Sequence, residues 1–370
     1  MKVLVRETPF DNPQWDDELL KNSNASLFLQ SNFWGSFLAL CELATPIYLI
    51  AEINGETVGS MLVLDKNVVR VKNSFIKKIP YIFRRLVIQQ GPVIFDSVNH
   101  LQILKAFLDW INEYQESNNI GEVIFDSYSP SMNLPEVSLL MASLGYKAKV
   151  WATFYVDLSY SPEEVLSKIE HSARKGIKKA TRQGVSVRKL DTWTDFERFY
   201  LLPYMTVKNS PLDIYEDHKK LWEIKDASKY YSFFVCEDSN GQLMGMLGVF
   251  IFLGVATEIA SAVMPIGIKN KIPVQDILHW NLMIFSKEKG CHTFDLAGVS
   301  PKPSTVKESN ILRFKKKWGG HYIEYNTFSR QHHLVMLGKI FYLRISEFHS
   351  LAVYIINKMI EIGAKNFTKK

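Results

Sequence analysis

The residues best suited to chemistry lie between Phe294 and Tyr325, in the text FDLAGVSPKPSTVKESNILRFKKKWGGHYIEY. A strand-like run through Asp295 and Leu296 halts at Gly298. A polar stretch with two prolines leads to Arg313-Phe314-Lys315-Lys316-Lys317, and Trp318-Gly319-Gly320 then opens an alternating strand to Tyr325. Clustered cations and a flexible Gly-Gly backbone between two strands read as a loop that suits anionic or developing negative charge. Residue types alone also allow a solvated basic turn. Within the segment Lys315 is the candidate oxyanion stabiliser, because a fixed ammonium acts most strongly where charge develops away from water. Asp295, at a strand end, is placed to orient Lys315 or accept a proton; a turn-capping aspartate is the plainer alternative. Together these groups suit a step in which negative charge develops on an oxygen held away from water.

A second cluster precedes it. Ser161-Pro162-Glu163-Glu164 combines a Ser cap, Pro at the first helical position and Glu at the third, which predicts a helix running to about Arg182 and stopped by Gly184. At about 100° per residue, Val165, Ile169, Ala173, Ile177 and Ala180 fall within an arc of about 120°. Lys168, His171, Arg174, Lys175, Lys178, Lys179 and Arg182 fill a separate arc of about 140°. With no acid among them these side chains repel one another unless an anion sits there. The stripe reads as a phosphate-contacting face suited to an RNA backbone, or as a solvated face.

The pattern strand–Asp–small–Gly, loop, Phe-Lys, two residues, Gly-Gly, strand resembles the C-terminal signature of the FemABX family, carried here by Asp295, Gly298, Phe314, Lys315, Gly319 and Gly320. Its members are peptidoglycan bridge-forming aminoacyltransferases built from two GNAT-like domains. A broader relative is the BioF2-like acetyltransferase domain of surface-polysaccharide systems. Trp318 stands where the aminoacyltransferases more often carry Phe, which leans toward the broader group. The text HSARKGIKKATRQGVSV is similar to the basic helix that opens the family's second unit. Gln30-Ser31 with Trp34, and Gly91-Pro92-Val93, resemble first-domain landmarks. The resemblance implies that Phe314 and Lys315 sit at the reaction centre; Arg313, Lys316, Trp34, Gly319 and Gly320 are the candidate substrate contacts around them. It also implies that Arg174, Lys175, Lys178, Lys179 and Arg182 touch tRNA phosphates. Ser36-Phe37-Leu38 and Gln90 stand where the family has a lysine and an arginine, so a UDP-linked muropeptide lacks its usual contacts here.

Elements that must position these groups follow from the rest of the chain. Its 370 residues exceed one small core and predict two domains. With 47% hydrophobic and 22% charged residues it is a folded globular chain. A net charge of +6 is compatible with RNA, phosphate or membrane-surface partners without selecting one. Cys41, Cys236 and Cys291 sit in apolar contexts without metal-ligand spacing and read as reduced core residues. No metal site is indicated, since His332-His333 stands alone. The N-terminus lacks the apolar core of a signal peptide, and no uncharged apolar run reaches about 18 residues, so a cytoplasmic location is expected. Alternating strands and amphipathic helices predict an α/β (α+β) fold. It comprises two tandem GNAT-like domains with mixed sheets, residues 1–150 and 151–330, and a helical extension over 331–370. The long pattern 333–362 has a broad apolar face, which would dock on protein or lie at the inner face of a membrane beside a lipid-linked acceptor.

The segment Ile266–Lys271 lies where an ordinary GNAT enzyme has its glycine-rich pyrophosphate loop, and it lacks that motif. No resident cofactor is therefore expected. The leading expectation is an aminoacyltransferase moving an amino acid from aminoacyl-tRNA to an amine of a cell-envelope precursor. Two alternatives are an N-acyltransferase of surface-polysaccharide assembly using a coenzyme A thioester, and a non-catalytic protein that binds tRNA or a membrane surface.

Overall fold

In the computed structural model the described residues are 2–9, 14–22, 27–67, 84–211, 213–224 and 227–332. Most of the basic-aromatic stretch 75–86 and the whole 333–362 helix pattern lie outside them. The first half contains strands β1 Leu4–Thr8, β2 Thr45–Ile53, β3 Glu56–Asn67, β4 Arg84–Gln89, β5 Val93–Ile94, β6 Glu122–Asp126 and β7 Lys147–Asp157. Its helices are α1 Trp15–Asn22, α2 Asn32–Leu40, α3 His100–Ser117 and α4 Pro135–Ser143. The second half opens with helices α5 Pro162–Lys168 and α6 His171–Arg182, followed by β8 Ser186–Leu190. Helices α7 Trp193–Phe196, α8 Leu202–Lys208 and α9 Asp213–Glu223 come next, then β9 Tyr231–Glu237, β10 Leu243–Phe252 and β11 Val255–Val263. The chain continues with α10 Pro265–Lys269, α11 Val274–Glu288, β12 Thr293–Asp295, α12 Val306–Lys316 and β13 His321–Gln331.

Local signals account for most boundaries. Asn54 and Gly55 both have positive φ (53° and 85°), which matches the right-handed twist of the strands they join and makes a tight β2–β3 hairpin. Ser161 and Glu164 form the expected capping box at the start of α5.

Two expectations fail. The helix predicted over 161–182 breaks at Ile169 and Glu170, which are extended, so α5 and α6 are separate. The break turns Ile169 into the core and lets the Glu170 N–H reach the Lys317 carbonyl at 2.8 Å. The supposed loop carrying Arg313–Lys317 is largely the helix α12. Its polar lead-in conceals a capping box, with the Glu308 N–H donating to Thr305 Oγ1 (3.1 Å) and the Thr305 N–H to Glu308 Oε2 (3.3 Å).

All strands belong to one mixed sheet in the order β1-β2-β3-β4-β6-β13-β7-β12-β11-β10-β9-β8, with β5 beside β3. Each half repeats one scheme: an antiparallel meander, a long helix, and a strand parallel to the last of the meander (β6 beside β4, β12 beside β11). A shorter helix and a final strand follow. These final strands are exchanged: β7 of the first half pairs with β12, and β13 of the second half pairs with β6. One sheet face packs under α3 and α4 in the first half and under α5, α6 and α11 in the second. The opposite face of the outer strands closes on a shared core that brings Leu62, Leu64 and Val87 to Phe233, Met246 and Phe252.

Candidate active site

Strand β12 stops pairing with β11 after Thr257 and Asp295, while β11 runs on to Val263. Glu258 is the first β11 residue beyond the pairing. Lys315, on the inward side of α12, fills the opening. Its residue is 6% exposed, and its ammonium meets Ala297 O, Gly298 O and Glu258 Oε1, each at 3.1 Å. Three acceptors match the three N–H donors of an ammonium. To reach a substrate oxygen, Lys315 must exchange one of them.

Glu258 Oε2 lies 2.6 Å from His279 Nε2, and His279 Nδ1 lies 2.7 Å from the Gln275 carbonyl. The imidazole is thus held between the Gln275 carbonyl and the Glu258 carboxylate. Burial alone would push the Glu258 carboxyl up; His279 and Lys315 outweigh it and hold the group below the usual carboxylate range. Trp318, fully buried, stacks on the His279 ring at 5.5 Å, and Phe314 meets that ring edge-on at 4.9 Å. The aromatic pair thus fixes the histidine that fixes the glutamate that fixes Lys315.

Asp295 lies on the opposite face of the sheet. Phe294 enters the second-half core, as do Ala152, Phe154 and Val156 of β7, which turns Asp295, Thr153 and Tyr155 the other way. Thr153 Oγ1 donates to Asp295 Oδ1 at 2.5 Å, and the Ala297 N–H donates to the same oxygen at 2.9 Å. Burial pushes the Asp295 carboxyl up to about 6, against the pull of Thr153, the Ala297 N–H and Lys315. Ala297, held at φ 58°, therefore serves both groups: its N–H caps Asp295 and its carbonyl accepts from Lys315. The expected turn-capping bond of Asp295 is thus present.

Other expected residues are dispersed. Arg313 and Lys316 are exposed on the outer side of α12, Arg313 donating to Asn310 Oδ1 at 3.1 Å. Lys317 pairs with Asp276 and sits 4.3 Å from the centroid of the Phe314 ring. Gly319 and Gly320 are tight packing points rather than a loose backbone. A Cβ on Gly319 (φ 67°) would collide with the Lys168 carbonyl, and one on Gly320 would lie 3.0 Å from the Tyr155 backbone. Trp34 is carried by α2 of the first half. Its indole donates to Gln89 Oε1 at 3.1 Å, and its rings pack with Phe28 and Phe250 where the halves meet.

In the basic stripe, Arg174 is already engaged, its guanidinium gathering the Leu166, Ser167 and Ile169 carbonyls at the end of α5. Lys179 donates to the Lys271 carbonyl at 2.7 Å. Lys175, Lys178 and Arg182 are exposed. Inward, Gly176 abuts Asp276 of α11, the partner of Lys317.

Sequence reasoning missed Glu258, His279, Thr153 and Tyr155. The signal available was a lone acid in the apolar strand VATEIASAV and a lone histidine on the inward face of α11.

No family model matches the sequence, and no curated protein matches it either. Solved structures do match in shape. The crystal structure of FemX has a TM-score of 0.67 at 15% identity, covering 92% of this chain and 100% of that one. A tandem GNAT protein from the clavulanic acid biosynthesis pathway has a TM-score of 0.58 at 8% identity, covering 89% and 98%. L-PGS from Bacillus licheniformis has a TM-score of 0.51 at 12% identity, covering 90% and 96%. The chain thus has a tandem GNAT fold.

Proposed function

We propose that the protein is an acyltransferase that moves an amino acid from aminoacyl-tRNA to an amine of a cell-envelope precursor. The observation that carries this reading is the pairing, through Ala297, of a buried ammonium with a buried carboxylate that desolvation pushes up to about 6. Lys315 opposes the charge of the tetrahedral oxyanion, and Asp295 accepts the proton the amine must lose. Glu258 and His279 hold Lys315 in place. The exposed Lys175, Lys178 and Arg182 supply a phosphate-attracting face on the same half.

An ester donor is favoured over a coenzyme A thioester by the turn at 264–274. Its N–H groups at Ile268, Asn270, Lys271, Ile272 and Val274 are already bonded to carbonyls of the same turn. They are not available as a pyrophosphate cradle.

The test is transfer of radiolabelled amino acids from charged total tRNA to extracted envelope precursors. Ribonuclease-sensitive transfer that Lys315→Ala lowers by orders of magnitude is expected. Transfer unchanged in that variant, or supported only by acyl-coenzyme A, overturns the reading.

A further inference from the structure

Three phenols surround the open side of Asp295. Tyr155 is its register partner on β7. Tyr325 of β13 sits on the same sheet face, with its hydroxyl against Gly298, where a Cβ would lie 3.3 Å away. Tyr128, just past β6, meets both rings edge-on, at 6.0 Å from Tyr155 and 5.8 Å from Tyr325. Among the described residues no hydrogen bond reaches the three hydroxyls or Asp295 Oδ2. A half-buried set of polar atoms left open in this way needs a ligand or water to satisfy it.

We infer that Asp295, Tyr128, Tyr155 and Tyr325 form the subsite that receives the acceptor as a primary ammonium ion. This rests on the acyl-transfer reading above. An ammonium offers three N–H donors, and Oδ2 with the phenol oxygens supplies acceptors for them. Ring faces carry negative quadrupole and favour a cation, whereas the carboxylate disfavours an anion in the same place. Burial keeps all three phenols protonated, so the carboxylate is the only formal negative charge among the four side chains.

Proton transfer then follows from the neighbours. Burial raises the proton affinity of Asp295, and Oδ2 takes the first proton of the bound ammonium. The freed lone pair forms the C–N bond to the acyl carbon, and the acyl C–O bond breaks. The amine's second proton leaves with the departing oxygen as an alcohol, and Asp295 returns the first proton to solvent. The register places the acceptor at the seam between the halves, on β6, β13, β7 and β12, while the basic face lies on α6.

The subsite is testable without a donor. Calorimetric titration of the full chain with n-butylammonium chloride should give a Kd on the order of 1–10 mM at about pH 7.5. The affinity should drop about tenfold at about pH 5, as Asp295 takes up its proton. n-Butanol should not bind. Asp295→Asn should abolish ammonium binding, and Tyr155→Phe and Tyr325→Phe should each weaken it several-fold. Equal binding of n-butylammonium and n-butanol to the parent protein, or no ammonium binding up to about 50 mM, overturns the inference. So does equal ammonium binding to the parent protein and the Asp295→Asn variant. Loss of this binding leaves transfer through Lys315 standing, whereas intact binding without any transfer overturns the function and spares the subsite.

Discussion

Replacing Asp295 with Asn should make the protein more stable and less active, with a pH dependence that identifies the cause. The folded protein holds this carboxyl at about 6, against an ordinary value of 3.8. That difference corresponds to about 3 kcal/mol between the two protonation states. Because the folded value is raised, the favourable contribution of the protonated group is full below the ordinary value. It is lost as pH rises through the folded one. Stability of the parent should therefore fall between about pH 4 and about pH 6 and level off above. An Asn side chain keeps an oxygen for Thr153 and the Ala297 N–H but carries no charge. It loses the attraction of Lys315, so the net gain above pH 6 is about 1–3 kcal/mol. Urea midpoints of both proteins across this range give the difference directly. Turnover of the variant should drop by about 10²–10⁴, the usual loss for a general base. A variant less stable than the parent at pH 8, or a stability difference constant with pH, refutes the account of a desolvated carboxylate.

Lys315→Met should destabilise by about 2–4 kcal/mol, because Glu258 loses one of its two buried partners. Adding Glu258→Gln should restore most of that stability without restoring turnover, as read by thermal melts beside the transfer assay. Gly319→Ala and Gly290→Ala both place a side chain at positive φ, but only the first meets backbone. Calorimetric melting should show a loss of about 1 kcal/mol at Gly290 and more than about 2 kcal/mol at Gly319. Combined Lys175→Glu, Lys178→Glu and Arg182→Glu should leave melting unchanged. It should weaken tRNA binding and reduce the slope of log K against log salt by about 2.

Much of the scaffold was legible because its signals are local. Asn54-Gly55 fixes a hairpin, and Ser161 and Glu164 fix a helix start. Lys315 and Asp295 could be named from type and neighbours. What the text hid was tertiary. Thr305 and Glu308 form a cap, yet the prolines just before them masked a helix that turns one lysine inward and leaves Arg313 and Lys316 outside. The stripe on α6 looked uniform, but Arg174 is claimed by carbonyls made available only by the break at Ile169. Glu258 and His279 are 21 residues apart and meet only because α11 packs across β11. Gly-Gly read as flexibility and proved to be close contact.

The exchange of final strands has a consequence for how such a protein can be divided. Tyr155 reaches Asp295 on a strand lent by the first half, and Tyr325 is delivered to Asp126 and Gly298 by one lent by the second. A cut after β7 would leave β6 of the leading piece without β13, and so without Tyr325, and β12 of the trailing piece without β7, and so without Tyr155. Either unit on its own would need a twin from which to borrow a closing strand, so chemistry at this seam belongs to the doubled chain or to a reciprocal dimer of single units.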